Sequence, residues 1–445
     1  MKTIKRLVAL FLVFSLVCLL AACGESQSSD TSVSDDTANA ELQFALGTPL
    51  TKEYEYTDDN GVVLLTEKYE LPQLELHTVD GVLFESDDSE QADICRAFNT
   101  GMQTAAEQVD VSAQEQLATA REQYESLDTE QRTGWTAYVE ELTIGTTYQT
   151  DGLLSILGNG YVERGSAHPL TYSKAWNFDL TTGKFITFDT LLGDENPLAQ
   201  PLNYALISSI TDEINGQDLA QDYFEGYETS ISNLSDNASF YFQASGMIVT
   251  FDTYVLAPYV YGPQTFELSY DKFYYALSEH MQSLFSLPQD SVIVSDYLTT
   301  QVLWSWFNML MPPVASDTPE VTTEDGMSRC RVTLGDVHTL DDLRVLLCRH
   351  VSETLADEWL AEGRFVEVDD ALYVSMGERG GDITIGSMEY SVELDGTSGV
   401  LTQTVHRQDF DDKGSSFLTG ETEEYSYPFD LVNGHAVFSA FPCPL

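Results

Sequence analysis

Few residues in this 445-residue chain have the types and spacing to do chemistry. His168 stands between Ala167 and Pro169. An imidazole can shuttle protons or bind a metal, but this setting predicts a tight turn with the ring bonded to backbone. Asp179 precedes Leu180-Thr181-Thr182-Gly183 and is expected to close a hairpin turn by accepting backbone N–H groups. A catalytic carboxylate is the alternative there. Tyr254, Tyr259 and Tyr261 surround Pro258, which fixes a bend at the end of a strand, and Gly262 closes the run. Phenol rings suit sugar stacking or a protein interface, with core packing as the alternative. Glu378, Arg379 and Asp382 belong to the glycine-rich run Gly377–Asp382, a candidate binding loop or a surface loop without a partner. Covalent catalysis would need a nucleophile with a base, and glycoside cleavage a spaced carboxylate pair. With 72 acids, carboxylates meet by chance, and neither G-x-S-x-G nor H-E-x-x-H occurs. Gly158-Asn159-Gly160 reads as a turn, not a phosphate loop. No catalytic residue, metal site or cofactor is expected.

The elements that must position these residues follow from periodicity. Asn60-Gly61 between alternating segments predicts a hairpin. Residues 89–127 carry a helical pattern, with a break over 128–132. Residues 138–161 read as two strands, with Gly145 and Asp151-Gly152 near the turns. Residues 175–180 and 185–188 form the hairpin that holds Asp179. A helix over 203–214, strands at 240–242, 247–251 and 265–268, and a final helix over 270–285 complete a first unit. A boundary is expected at 286–290. The second unit predicts a helix over 294–311 and a capping box at Thr339. The helix it starts carries Leu343, Leu347, Val351 and Leu355 on one stripe. Strands follow at 365–374, 383–394, 400–406, 424–429 and 436–441. The fold class is therefore α+β, with two antiparallel-sheet domains packed by helices.

The N-terminus reads as an address. Lys2, Lys5 and Arg6 precede an apolar run from Leu7 to Leu20, too short for a comfortable membrane span. Leu20-Ala21-Ala22-Cys23 resembles the bacterial lipobox, which implies cleavage after residue 22 and acylation of Cys23; a plain signal peptide or uncleaved anchor is the alternative. Two acyl chains hold a protein stably on a membrane, here expected on the outer face of the cell membrane. Residues 23–41 are polar and acidic, a flexible tether. The net charge of −52 excludes nucleic acid as a partner and favours basic ones. An exported compartment permits disulfides. Cys95, Cys330, Cys348 and Cys443 remain, and one pair among the last three is expected, with the pairing open.

Two resemblances sharpen these expectations. Gly165-Ser166-Ala167-His168-Pro169, Asn177-Phe178-Asp179-Leu180-Thr181-Thr182-Gly183-Lys184 and Tyr254 to Gly262 resemble, in order and spacing, the outer domain of lysozyme-sensing anti-sigma factors. The same domain precedes the catalytic domain of some peptidoglycan deacetylases. Ser166 departs from the family's second glycine. Residues 291–445 resemble secreted inhibitors of cell-wall DL-endopeptidases through Asp369–Val374, Gly377–Asp382 and Leu431–Phe438. That implies a cystatin-like second domain acting by binding. The expected organisation is a signal over 1–22, a tether over 23–41, one domain over 42–285 and another over 291–445. The expected function is binding of a basic cell-wall hydrolase, lysozyme or an endopeptidase, to sense or inhibit it. A peptidoglycan-binding module and an uncharacterised wall hydrolase are the alternatives.

Overall fold

A computed structural model describes residues 42–84, 89–165, 168–193, 196–217, 220–315, 320–323, 326–377, 380–411 and 416–443. The expected signal, Cys23 and the expected tether lie outside the described residues. Among those described, no helix is long and apolar enough to cross a membrane.

Strand β1 (Leu42–Leu46) pairs with β4 (Leu74–Thr78). Between them β2 (Leu50–Thr57) and β3 (Val63–Leu71) form the hairpin expected from Asn60-Gly61. Asp58 fixes its turn by accepting from Asn60 N at 2.9 Å and Val62 N at 2.8 Å, and Gly61 takes φ +82°. The 37-residue helix α1 (Glu90–Ser126) follows, capped by Ser89, which accepts from Ala92 N. Phe98, Met102, Ala106, Val109, Ala113, Leu117, Ala120 and Tyr124 recur every three to four residues and are buried, so one stripe faces the sheet.

After α1 come β5 (Tyr138–Gln149), β6 (Leu153–Glu163), β7 (Leu170–Asp179) and β8 (Lys184–Ile186). The sheet runs in the order β2-β3-β5-β6-β7-β8. One pair, β3 with β5, is parallel; α1 is the crossover that such pairing requires. Gly145 lies inside β5, and Gly158 and Gly160 inside β6 rather than in turns. The rings of Trp176 and Tyr172 lie on those last two glycines, where an added Cβ would meet them at 2.9 and 2.1 Å.

A second sheet, β9 (Ala238–Gln243), β10 (Gly246–Phe251) and β11 (Gln264–Ser269), has β10 at its centre. Buried polar side chains join it to the first sheet. Ser155 donates to Asn177 Oδ1 at 2.6 Å and accepts from Phe242 N at 2.9 Å, while Asn177 Nδ2 donates to Phe240 O at 2.7 Å. The helix expected over 270–285 is instead broken into Tyr270–Phe273, a 3-10 turn over Tyr274–Ala276 and Glu279–Ser283. Gln282 causes the break: its Nε2 donates to Tyr274 O and Leu277 O, both at 3.1 Å. Ser278 then caps the next turn.

The helix Gln289–Asn308 leads into the last third. There β12 (Val321–Thr322), β13 (Ser328–Arg331), β14 (Phe365–Val368) and β15 (Ala371–Ser375) form one sheet, in the order β12-β13-β15-β14. The strands β16 (Ile385–Asp395), β17 (Ser398–Phe410), β18 (Ser416–Val432) and β19 (His435–Phe438) form another, fully antiparallel and in sequence order. Thr339 caps the helix Leu340–Leu347 with the expected box. The stripe does not continue on that helix. Val351 leaves it for a parallel bridge to Phe438, and Ser352 caps a new helix, Glu353–Ala361, which carries Leu355. The chain is α+β, with several antiparallel sheets.

One core cluster runs from Leu153 to Phe441 and includes Leu284, Phe285, Ile293 and Tyr297, so it passes unbroken across residues 286–290. The expected disulfide is not formed: Cys330, Cys348 and Cys443 are free thiols, as is Cys95. They sit on separate elements. Cys330 faces Val374 in the β13–β15 ladder, Cys348 ends the helix Leu340–Leu347, and Cys443 accepts from Gln301.

Candidate functional site

The loop after β10 gathers most of the aromatic candidates. Leu256 and Ala257 are buried and anchor it. Pro258 starts a 3-10 turn over Tyr259–Tyr261, and Gly262 ends it at φ +66°, ψ −162°, a region open essentially to glycine. Gln264 holds the turn by donating to Tyr261 O at 3.0 Å and Gly262 O at 3.1 Å, and Tyr223 braces Gln264 from behind. Phe224 N donates to Leu256 O at 2.9 Å. The loop is thus tied down from several sides.

The loop also meets the His168 segment, far away in sequence. Tyr259 donates its hydroxyl to Pro169 O at 2.7 Å, and the His168 ring lies 4.7 Å from the Tyr259 ring. Tyr254 follows at 6.0 Å from Tyr259. Ser166 and Ala167 lie outside the described residues. Tyr254 takes φ +73°, the left-handed region that a bulky residue avoids. Strain of this kind persists only where surrounding structure enforces it, and it clusters at binding sites. The braced backbone displays Tyr254 at 56 %, Val260 at 81 % and Tyr261 at 44 % exposure. A hydrogen bond to Asp222 raises the pKa of the Tyr261 phenol.

Beside Tyr254 lies a cavity of about 350 Å³, lined among others by Glu140, Arg164, Tyr172, Lys174 and Asp252. Burial, with the carboxylates of Glu140 and Asp252 nearby, pushes the Tyr172 phenol up to about 12. Glu140 is also raised by burial.

The other candidates are elsewhere. Asp179 accepts from Thr181 N and Oγ1, both at 2.7 Å, from Thr182 Oγ1 at 2.6 Å and N at 3.1 Å, and from His280 Nε2 at 2.6 Å. Burial raises its pKa, but these hydrogen bonds outweigh burial and hold it below the usual carboxylate range. Gly183, at φ +70°, packs its Cα face on Ile94 of α1. Asp382 is held by Thr384 and by Arg407, which donates at 2.7 Å and also pairs with Glu423. Glu378 and Arg379 lie outside the described residues. The structure therefore brings His168, Tyr254, Tyr259, Tyr261, Pro258 and Gly262 together, and leaves Asp179 and Asp382 in separate networks.

Sequence reasoning missed a polar layer between α1 and the sheet. Glu67 on β3 and Glu140 on β5 stand opposite each other in the parallel pair. Both are buried, as is Gln116 of α1, whose Nε2 donates to Glu140. Tyr69 donates to Asp110 at 2.8 Å, Lys52 binds the same carboxylate, and Tyr56 donates to Glu67 at 3.2 Å. The sequence signal was parity: Glu67 shares the inward side of β3 with Leu65, Tyr69 and Leu71.

Comparison with known proteins places one part of this arrangement. Residues 190–271 match the family described as a protein of unknown function, DUF3298. A DUF3298 family member from Bacteroides fragilis is 15 % identical, with 55 % of this chain and 97 % of that chain covered and a TM-score of 0.39. A DUF3298 family protein from Pseudomonas aeruginosa is 14 % identical, with 56 % and 98 % covered and a TM-score of 0.32. No curated protein matches. Residues 190–271, and with them the Tyr254–Gly262 loop, are a DUF3298 domain.

Proposed function

We propose that this protein is anchored by a lipid on Cys23 at the outer face of the cell membrane and binds a basic cell-wall hydrolase through the Tyr254–Gly262 loop. Binding, not turnover, is its activity, and its outcome is to sense or inhibit the hydrolase. The observation that carries the reading is the exposed set Tyr254, Val260 and Tyr261 on a braced, strained loop. Aromatic groups with a polar tip are the residues most enriched where protein partners dock. The net charge of −52 supplies attraction to a basic partner. The resemblance of the three motifs to lysozyme-sensing domains supports lysozyme as that partner. The resemblance of residues 291–445 to DL-endopeptidase inhibitors supports an endopeptidase.

The two His–Asp pairs, His280 with Asp179 and His435 with Asp296, do not argue for catalysis. Among the described residues no hydroxyl or thiol is hydrogen-bonded to either imidazole as a nucleophile would be. A second reading, binding of a peptidoglycan fragment, draws on the cavity beside Tyr254, whose walls carry phenols and charges of both signs.

The test is binding of residues 24–445 to lysozyme at low and at physiological salt, with a non-wall basic protein of similar size as control. Charge attraction alone is screened as salt rises. The reading expects binding that survives salt, excludes the control and weakens at least tenfold in the Tyr254→Ala/Val260→Asp variant. Equal and salt-sensitive binding of both proteins refutes lysozyme as the partner. Binding to purified peptidoglycan but to no hydrolase selects the second reading.

A further inference from the structure

Strand β16 is the first of its four-stranded sheet, and among the described residues it pairs with β17 only. Its other edge therefore presents unpaired backbone N–H and C=O groups, which template a further strand. A groove of about 970 Å³ runs along that edge. Five consecutive residues of β16, Met388 to Val392, line it. A strand shows only alternate residues on one face, so a consecutive run means that the groove follows the edge itself. The facing wall carries the apolar residues Tyr275, Leu287, Val294 and Leu298, with Asp271, Asp290 and Ser291 beside them. Within that wall Ser295 is 6 % exposed and its hydroxyl has no partner. The charged residues of the lining are Asp271, Asp290 and Glu389, with no cation among them.

We propose that this groove takes an extended, basic peptide segment of a partner protein, which adds to β16 as an antiparallel or parallel fifth strand. Backbone hydrogen bonds along the edge supply the affinity, and alternate side chains drop onto the apolar wall. Asp271 and Asp290 on that wall and Glu389 on β16 select lysine and arginine over acids. Five residues of strand correspond to roughly 17 Å of contact. This surface is separate from the Tyr254–Gly262 loop, and the inference stands whatever that loop binds.

The experiment uses three fluorescein-labelled octapeptides at physiological salt: Lys-Val repeated four times, the same charge with proline replacing valine, and Glu-Val repeated four times. Fluorescence anisotropy reads binding, and amide hydrogen exchange reads its location. The expected result is binding of the Lys-Val peptide, with exchange slowed along β16. The proline peptide, which lacks half of the backbone donors, should bind at least tenfold more weakly, and the Glu-Val peptide not at all. The Asp290→Asn/Glu389→Gln variant, which removes two charges at exposed sites, should weaken the Lys-Val peptide at least tenfold. Absence of binding, equal binding of the proline peptide, unchanged binding by the variant, or protection away from β16 each overturns the proposal. The exchange measurement on the unaltered chain decides even if the variant fails to fold.

Discussion

Replacing Glu67 by glutamine should stabilise the protein at alkaline pH and leave it nearly unchanged at acidic pH. Glu67 is fully buried, and its Oε1 has no partner. Burial first, and then the carboxylates of Asp110 and Glu140, push its pKa from 4.5 to about 7, against the hydrogen bond from Tyr56 and the charge of Lys52. The folded state thus holds this proton more tightly than the unfolded state. The stability it contributes is complete below about pH 4.5 and is lost as pH rises through about 7. Without screening, such a shift is worth about 3 kcal/mol; discounted for solvent screening, the expected loss is ~1–2 kcal/mol. The amide introduced by Glu67→Gln has no acidic proton to lose and keeps an acceptor for Tyr56. Urea unfolding followed by tryptophan fluorescence at pH 5 and pH 8 measures the difference. The variant should exceed the natural chain by roughly 1–2 kcal/mol at pH 8 and match it within about 0.5 kcal/mol at pH 5. An equal offset at both pH values would show that packing, not ionisation, governs this site.

Asp179→Ala should cost about 1–3 kcal/mol, because it strips the acceptor from Thr181, Thr182 and His280. Since the folded-state pKa of Asp179 is lowered, its contribution is present above the ordinary carboxylate pKa and fades as pH falls through the depressed value, so the cost should shrink in acid denaturation series. Gly262→Ala should lower stability by ~1–3 kcal/mol through backbone strain, read as a drop in melting temperature. Phe98→Ala should cost about 3–5 kcal/mol in urea titration, since Phe98 is fully buried against Phe178 and Phe185. Unfolded residues 24–445 should titrate four thiols without reductant; a shortfall of two would reveal a disulfide.

Much of the fold was legible because local chemistry and burial agree. The Asn60-Gly61 hairpin, the α1 stripe and the Thr339 capping box each rest on residues within one turn or one strand. The broken helix and the misread glycines trace to side chains that bond backbone and to contacts distant in sequence. Gln282 diverts carbonyls that a helix over 270–285 would need. Rings from β7 occupy the space above Gly158 and Gly160, which the composition alone marks as a turn. The meeting of His168 with Tyr259 was not legible, since periodicity does not say which loops converge. Nor was His280 as the partner of Asp179.

The parallel pairing of β3 with β5 bears on how the chain reaches this structure. Leu65 meets Tyr138 only by closing a loop that contains β4 and the whole of α1. Contacts so remote in sequence form late, because chain closure must be completed before they reward it. The Asn60-Gly61 hairpin and α1 depend on neighbours and can arise early. Until that closure the inner edge of β3 is open and Glu67 faces water, so burial of the charged layer is expected late in assembly. Acidic conditions should therefore speed the final docking of α1 more than the formation of the helix itself.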